Sequence, residues 1–238
     1  MLQALVEGQR DPALLAELAK RRLRAKIPAL TEALTGRFSE HHAFLTSMYL
    51  EVIDQRTRQI EELNARIEVA MEPYQSFCGL IGTIPGIGPR CMEVIVAETG
   101  AYMSIFSTAA HLASWAGTCP GSNESAGRVK SSATRPGNAY LKGALGAAAL
   151  SVSHTHGAYL SAKYKRIAAR RGPKKALVAV EHAILTAIWT MAHTGALYDD
   201  PGADYFTRRD PERLKRHALS QLQRLGYDVT LNAAAATA

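Results

Sequence analysis

Between residues 40 and 71 the chain has neither Pro nor Gly, and its apolar positions recur at helical spacing. Ile53, Ile60 and Ile67 repeat every seven residues, and Tyr74 extends the series. Tyr49, Leu63 and Ala70 fall near the second seam, where Arg56 interrupts. Such a repeat predicts a long helix that pairs with another, in an antiparallel pair or a coiled-coil dimer. The plainer alternative is a long helix packed on its own domain. Upstream, Asp11-Pro12 reads as an N-cap with Pro at the first helical position. Leu14, Leu15, Leu18 and Leu23 then give a helical stripe, and the basic run Lys20–Lys26 lies on the same helix. Pro28 kinks or restarts it, and Gly36 is a plausible stop. Ser39 is a second N-cap candidate, with His42 at the position where a capping box has Glu.

Pro73 ends the long helix. Residues 79–90 are rich in Gly and apolar side chains, and a helix follows to about Thr99, stopped by Gly100. A short helix is expected from Thr108 to Trp115. Residues 116–137 hold Gly117, Pro120, Gly121, Gly127, Pro136 and Gly137 and read as a long polar loop. Asn138 caps a helix to about Ser151, and further helices fit residues 157–171 and 174–194. Residues 197–211 read as loop, Pro211 opens a last helix to about Leu225, and the Ala-rich end frays. The pattern therefore predicts a mainly α protein. A coiled-coil-like arm over 1–75 precedes an all-helical domain over 76–238 that contains a helix-hairpin-helix.

Composition supports this picture. The 238 residues are 47% hydrophobic, which excludes a disordered chain, and only 7% aromatic, which disfavours a sandwich or barrel. Cys78, Cys91 and Cys119 include no CxxC pair, which fits a reducing cytoplasm and argues against a disulfide scaffold or zinc knuckle. No membrane span and no secretion signal are expected. The net charge of +7 is unevenly placed: −1 over 1–75, +8 over 76–198 and 0 over 199–238. Within 120–180 Glu124 is the single acid against 11 basic residues. A basic body points to a polyanionic partner, the alternative being a solvated surface.

Two motifs carry candidate chemistry. Ile84-Pro85-Gly86-Ile87-Gly88 has the form of a helix-hairpin-helix turn. Gly86 and Gly88 would permit φ > 0 and a close approach to a phosphate, with Arg90 adding charge. The alternative is a turn that merely packs. The second motif is the serine-rich basic segment 117–145. Its candidate hydroxyls are Ser122, Ser125, Ser131 and Ser132, and Ser125 stands out between Glu124 and the cations Arg128 and Lys130. A serine attacking a phosphodiester needs deprotonation and positive charge around the transition state. The other reading is a phosphate-contacting loop without catalysis. His154 and His156 stand two apart, which puts them on different faces of a helix and argues against a metal pair. His182, His193, Trp115 and Trp189 read as core or boundary residues.

The ordered set Thr83–Gly88, Ser114-Trp115-Ala116-Gly117-Thr118-Cys119-Pro120, Asn123–Gly127, Gly137–Lys142 and Arg170–Ala176 resembles the C-terminal part of bacterial insertion-sequence transposases of the IS-one-ten family. The resemblance implies a DNA transposase that cleaves through a serine matching Ser125, by way of a 5′-phosphoserine intermediate. This chain reads Ser-Ala-Gly where many members read Ser-Gly. The resemblance also implies an N-terminal RNase-H-like domain with four metal-binding carboxylates. No such set is recognisable among the mixed acids of 1–75, so no metal ligand is assigned, and Mg is expected only with that further domain. Asp199, Asp200 and Asp204 read as caps or turns. Implied partners are DNA, a structured bridge RNA and further copies of the chain in a dimer or tetramer, in the bacterial cytoplasm at the nucleoid. Arg90, Arg128, Lys130, Arg135, Lys142, Arg170, Arg171, Lys174 and Lys175, with Gly86 and Gly88, are the expected nucleic-acid contacts. The alternative is a shortened, non-catalytic nucleic-acid-binding and oligomerisation module; a junction-binding repair protein is a weaker third.

Overall fold

A computed structural model describes residues 1–121, 123–131 and 133–231. Ser122, Ser132 and the Ala-rich end lie outside these residues. The described fold is mainly helical and forms two compact units, Met1–Ala70 and Met71–Ala238.

In the first unit, α1 (Leu2–Val6), α2 (Pro12–Glu17) and α3 (Ile27–Leu34) precede α4 (Glu40–Met71). Asp11 caps α2 as expected, its carboxylate accepting from Ala13 N at 2.8 Å. The expected long first helix is instead broken. Arg21–Lys26 form a 3-10 turn, and α3 restarts with Pro28 in its first turn. Of the leucine stripe only Leu15 is buried; Leu14, Leu18 and Leu23 are exposed. A 3-10 turn rotates successive side chains by a different angle from an α-helix, so one face does not persist. Ser39 starts α4 by the anticipated device, its backbone N–H donating to His42 Nδ1 at 3.1 Å. α4 runs for 32 residues and buries none of them. Ile60 and Leu63 keep 54% and 59% of their surface exposed, so both seams face solvent.

The second unit is built around α10 (Pro173–Thr194). Against it lie α5 (Gln75–Ile81), α7 (Ala109–Trp115), α8 (Ala139–Ser153) and α9 (Tyr159–Arg171), while α6 (Pro89–Thr99) packs on α8. The core includes Ile81, Ile95, Leu112, Leu141, Leu145, Leu160, Ile184 and Ile188. Among the described residues α10 alone is long and apolar enough to cross a membrane by length and composition. Here its apolar face is the domain core. α11 (Tyr205–Arg209) and α12 (Pro211–Arg224) follow, so part of the expected 197–211 loop is helical. Gly100 stops α6 and Asn138 starts α8 where the sequence places them, and Thr108 and Asp210 prove to be the N-caps of α7 and α12.

One buried group opposes stability. Glu181 on α10 is 5% exposed, and its Oε2 has no hydrogen-bond partner among the described residues. Burial raises its pKa, partly offset by Lys142. The unfolded chain therefore ionises first as pH rises past the ordinary 4.5, and stability falls until the folded group ionises as well. Glu181→Gln is expected to raise stability at pH 8 by about 1–2 kcal/mol. The gain should shrink to nothing near pH 4.5. Denaturant melts at both pH values check this; an equal gain at both would overturn the ionisation argument.

Candidate functional site

Residues 117–137 are not a loop but a narrow two-stranded finger standing on the helical unit. At its base Gly117 (φ +75°) and Gly137 (φ +59°) sit in backbone contact: a Cβ on Gly137 would come within 2.5 Å of Ala116 O and Gly117 Cα. Above them Pro120 bridges Thr134, and Gly121 N donates to Ala133 O at 2.9 Å. β1 (Asn123–Ser125) then pairs antiparallel with β2 (Arg128–Ser131). The base is tied down by Asn138, which accepts from Leu141 N and donates to Glu98, and by Lys142, whose Nζ donates to Thr134 Oγ1 at 2.9 Å. The sequence hid this because the alternation covers only a few residues and the stabilising pairs are backbone to backbone.

Ser125 is the last residue before the tip and pairs with Arg128. The intervening Ala126 and Gly127 have φ +51° and +73°, as a two-residue turn joining twisted strands requires. The register pairs Ser125 with Arg128 on one face of the finger and puts Glu124 on the other, while Lys130 stands at a bulge where the register shifts. All four are exposed. Among the described residues no side chain is hydrogen-bonded to the Ser125 hydroxyl. Ala126 is strained, because a Cβ in the left-handed region costs about 1–2 kcal/mol. Ala126→Asn is expected to relieve roughly 1 kcal/mol of this and slow amide exchange at Glu124–Lys130 about fivefold. Unchanged exchange there would show that the turn is not under this strain.

The other expected contacts fall elsewhere. Gly86, Gly88 and Arg90 line a groove of about 670 Å³ with Tyr140 and Gly143 of α8. The turn uses its glycines differently from the expectation. Gly86 alone has positive φ, and a Cβ there would meet Ala148 O at 2.5 Å, so its bareness serves protein packing. Gly88 has φ −105° and open space around it. Arg90 is partly neutralised by Glu93 at 2.6 Å. Arg170 and Arg171 end α9, and Lys174 and Lys175 begin α10; all four are exposed. Arg135 is exposed near the finger's base, whereas Lys142 is half-buried beneath it.

The remaining singled-out residues have structural partners. Trp189 Nε1 donates to Phe106 O at 2.8 Å, and His193 stacks on Trp189. Trp115 is not a core anchor: it lies 40% exposed against Phe106. Cys119 Sγ and His182 Nδ1 are 3.9 Å apart, and burial together with Lys163 lowers the His182 pKa. Burial pushes the Cys91 thiol up to about 11, which leaves it un-ionised and a poor nucleophile. Asp200 accepts from Tyr159 N and Gly202 N, and Asp204 pairs with Arg208. Among the described residues no three His, Cys, Asp or Glu side chains cluster to hold a metal.

Residues 78–165, which run from α5 through the finger into α9, match the model of the Transposase IS116/IS110/IS902 family. Over this stretch the chain is similar to that family. It is also 26% identical to the Insertion element IS110 uncharacterized 43.6 kDa protein of Streptomyces coelicolor, over 82% of this chain and 52% of that protein. The chain thus spans about half the length of the curated relative it matches. The transposase domain encloses Ser125, Arg128, Lys130, Arg135 and Lys142 and stops before Arg170.

Proposed function

We propose that this chain is the serine-bearing, nucleic-acid-binding part of a DNA transposase, with Ser125 as the nucleophile. The observation that carries the reading is the exposed Ser125 at the tip of a basic finger inside the matched stretch, paired across the strands with Arg128 and with Lys130 two residues further along. In the step proposed, Ser125 Oγ forms a bond to a DNA phosphorus and the bond from phosphorus to the 3′ oxygen breaks. The 5′ phosphate remains on the serine, the 3′ oxygen leaves and takes up a proton, and the serine proton passes to a base. Arg128 and Lys130 would offset the charge that builds on the phosphoryl oxygens.

The residues present do not fit a Mg site, since no carboxylate cluster lies among those described. In this reading the carboxylates and the base come from another domain or subunit. Lys174 and Lys175 support a polyanionic partner. They stand in the first turn of α10, where the helix dipole is positive and no acid is present to balance it. Placing cations there is unfavourable by a few tenths of a kcal/mol or more each unless an anion joins them.

The test is to incubate the chain with duplex insertion-sequence ends and a carboxylate-bearing relative in trans, then trap covalent protein–DNA adducts. A nucleotide mapped to Ser125 by mass spectrometry is expected. An adduct on another residue, or none when the trans partner is active, would sink the assignment. A second reading, a non-catalytic binding and oligomerisation module, is favoured by the lack, among the described residues, of any base bonded to Ser125. Binding without any adduct separates it from the first. A structured bridge RNA is the further expected partner, and nuclease-sensitive RNA co-purifying with the chain checks it.

Self-association belongs to α4, whose seven-residue seam lies exposed. Ile53→Asp with Ile60→Asp is expected to convert the assembled chain to monomer in sedimentation. A wild-type chain that sediments as a monomer would refute the seam's role.

A further inference from the structure

A basic groove of about 720 Å³ lies between α9 and the α11–α12 segment, apart from the finger. α9 contributes Arg166 and Arg170, one helical turn apart, and α12 contributes Arg213 and His217 at the same spacing. Arg209 lines the groove between them. Residues four apart share a helix face, so each helix presents two basic side chains to the same space.

The α11 end of the segment is anchored against the start of α9, and α12 follows it through the Asp210 cap. Asp200 accepts from the Tyr159 backbone, Ala203 N donates to Gly157 O at 3.0 Å, and Phe206 stacks on Tyr159 at 5.4 Å. The Arg166 guanidinium lies 4.6 Å from the Phe206 ring centroid, which fixes its plane. Asp210 is the single acid lining the groove, and its carboxylate accepts from Arg213 N in capping α12. Among the described residues none of Arg166, Arg170, Arg209 and Arg213 makes an ion pair. Four uncompensated guanidinium groups around one space repel one another, and an anion seated there reverses the sign of that interaction. Arginine's planar fork suits phosphate oxygens.

We propose that this groove is a second nucleic-acid site, gripping the phosphodiester backbone through Arg166, Arg170, Arg209 and Arg213. It rests on the nucleic-acid reading above but lies outside the matched transposase domain's finger. Such a site would hold a strand in register while Ser125 engages another position, contributing orientation and no base readout.

The test measures affinity of the full chain for duplex DNA and for single-stranded RNA across a salt series. It compares wild type, Arg166→Gln with Arg170→Gln, Arg213→Gln with His217→Gln, and Arg128→Gln with Lys130→Gln. Each groove pair is expected to weaken binding about tenfold and to reduce the slope of log affinity against log salt by about 1–2. A loss confined to one probe identifies the strand the groove holds, and a loss on both identifies a site that reads phosphates alone. The two groove pairs lie on different helices, so a misfolded variant, seen by its melting curve, leaves the other to decide. If the finger pair weakens binding and the groove pairs change neither affinity nor slope, the groove inference is overturned while the finger reading stands. If wild type shows no salt-dependent binding, both fall.

Discussion

Ser125→Ala is expected to abolish the covalent DNA adduct completely while leaving affinity for duplex DNA within about twofold. The separation follows from where the residue stands. The side chain is exposed, has no hydrogen-bond partner among the described residues, and supports no packing that its loss could disturb. Its backbone pairing with Arg128 survives the change. What disappears is the oxygen that would bond to phosphorus. Binding, by contrast, is shared among cations that the substitution does not touch. Ser125→Cys is the informative companion, since a thiol keeps a nucleophile at the same place. An adduct that persists in Ser125→Ala would exclude this residue, whatever its effect on binding.

The second large effect is expected at the neck of the finger. Gly137→Ala should destabilise the finger by on the order of 3 kcal/mol, combining a left-handed backbone with a forced overlap. The added Cβ would lie 2.5 Å from Ala116 O and Gly117 Cα, and neither is a flexible side-chain end that can swing away. Gly117 meets the same limit from the other strand, with Arg135 O at 2.8 Å. Opening this neck removes the Pro120–Thr134 bridge and the geometry that holds Ser125 out from the helices. Limited proteolysis within residues 117–137 should accelerate more than a hundredfold, as a difference of that size implies when opening is fast. Because Asn138 and the core lie just beyond, the global melting temperature should move less than the local cleavage rate. Unchanged cleavage would show that the neck is not what holds the finger together.

Much of the helical framework was legible in the sequence because its signals are local. The Pro-free and Gly-free stretch of 40–71 became α4 with the same limits, and Asp11 and Asn138 cap the helices they were expected to cap. His42 replaces the acid of a capping box because a ring nitrogen can accept the same backbone N–H. Signals failed where the deciding partner lies far along the chain. Gly86 is bare because Ala148 O and Val152 press on it from α8, some 60 residues away. The expectation of a phosphate there rested on Gly86, Gly88 and Arg90, and the packing on Gly86 comes from a helix distant in sequence. Lys142, read as an exposed contact, is drawn under the finger by Thr134 and the field of Glu181.

The sequence by itself determined the limits of the long helix α4 and of most helices in the basic body, the uneven placement of charge, and the ordered motifs of the matched stretch. These depend on residues within one or two turns of each other, or on composition. Only the tertiary structure decided that the described residues of 117–137 form a finger, that Ser125 pairs with Arg128 across it, and that four arginines from α9, α11 and α12 gather in one groove. Strand pairing and groove formation join residues through backbone hydrogen bonds and helix packing, and neither leaves a periodic trace in a single chain.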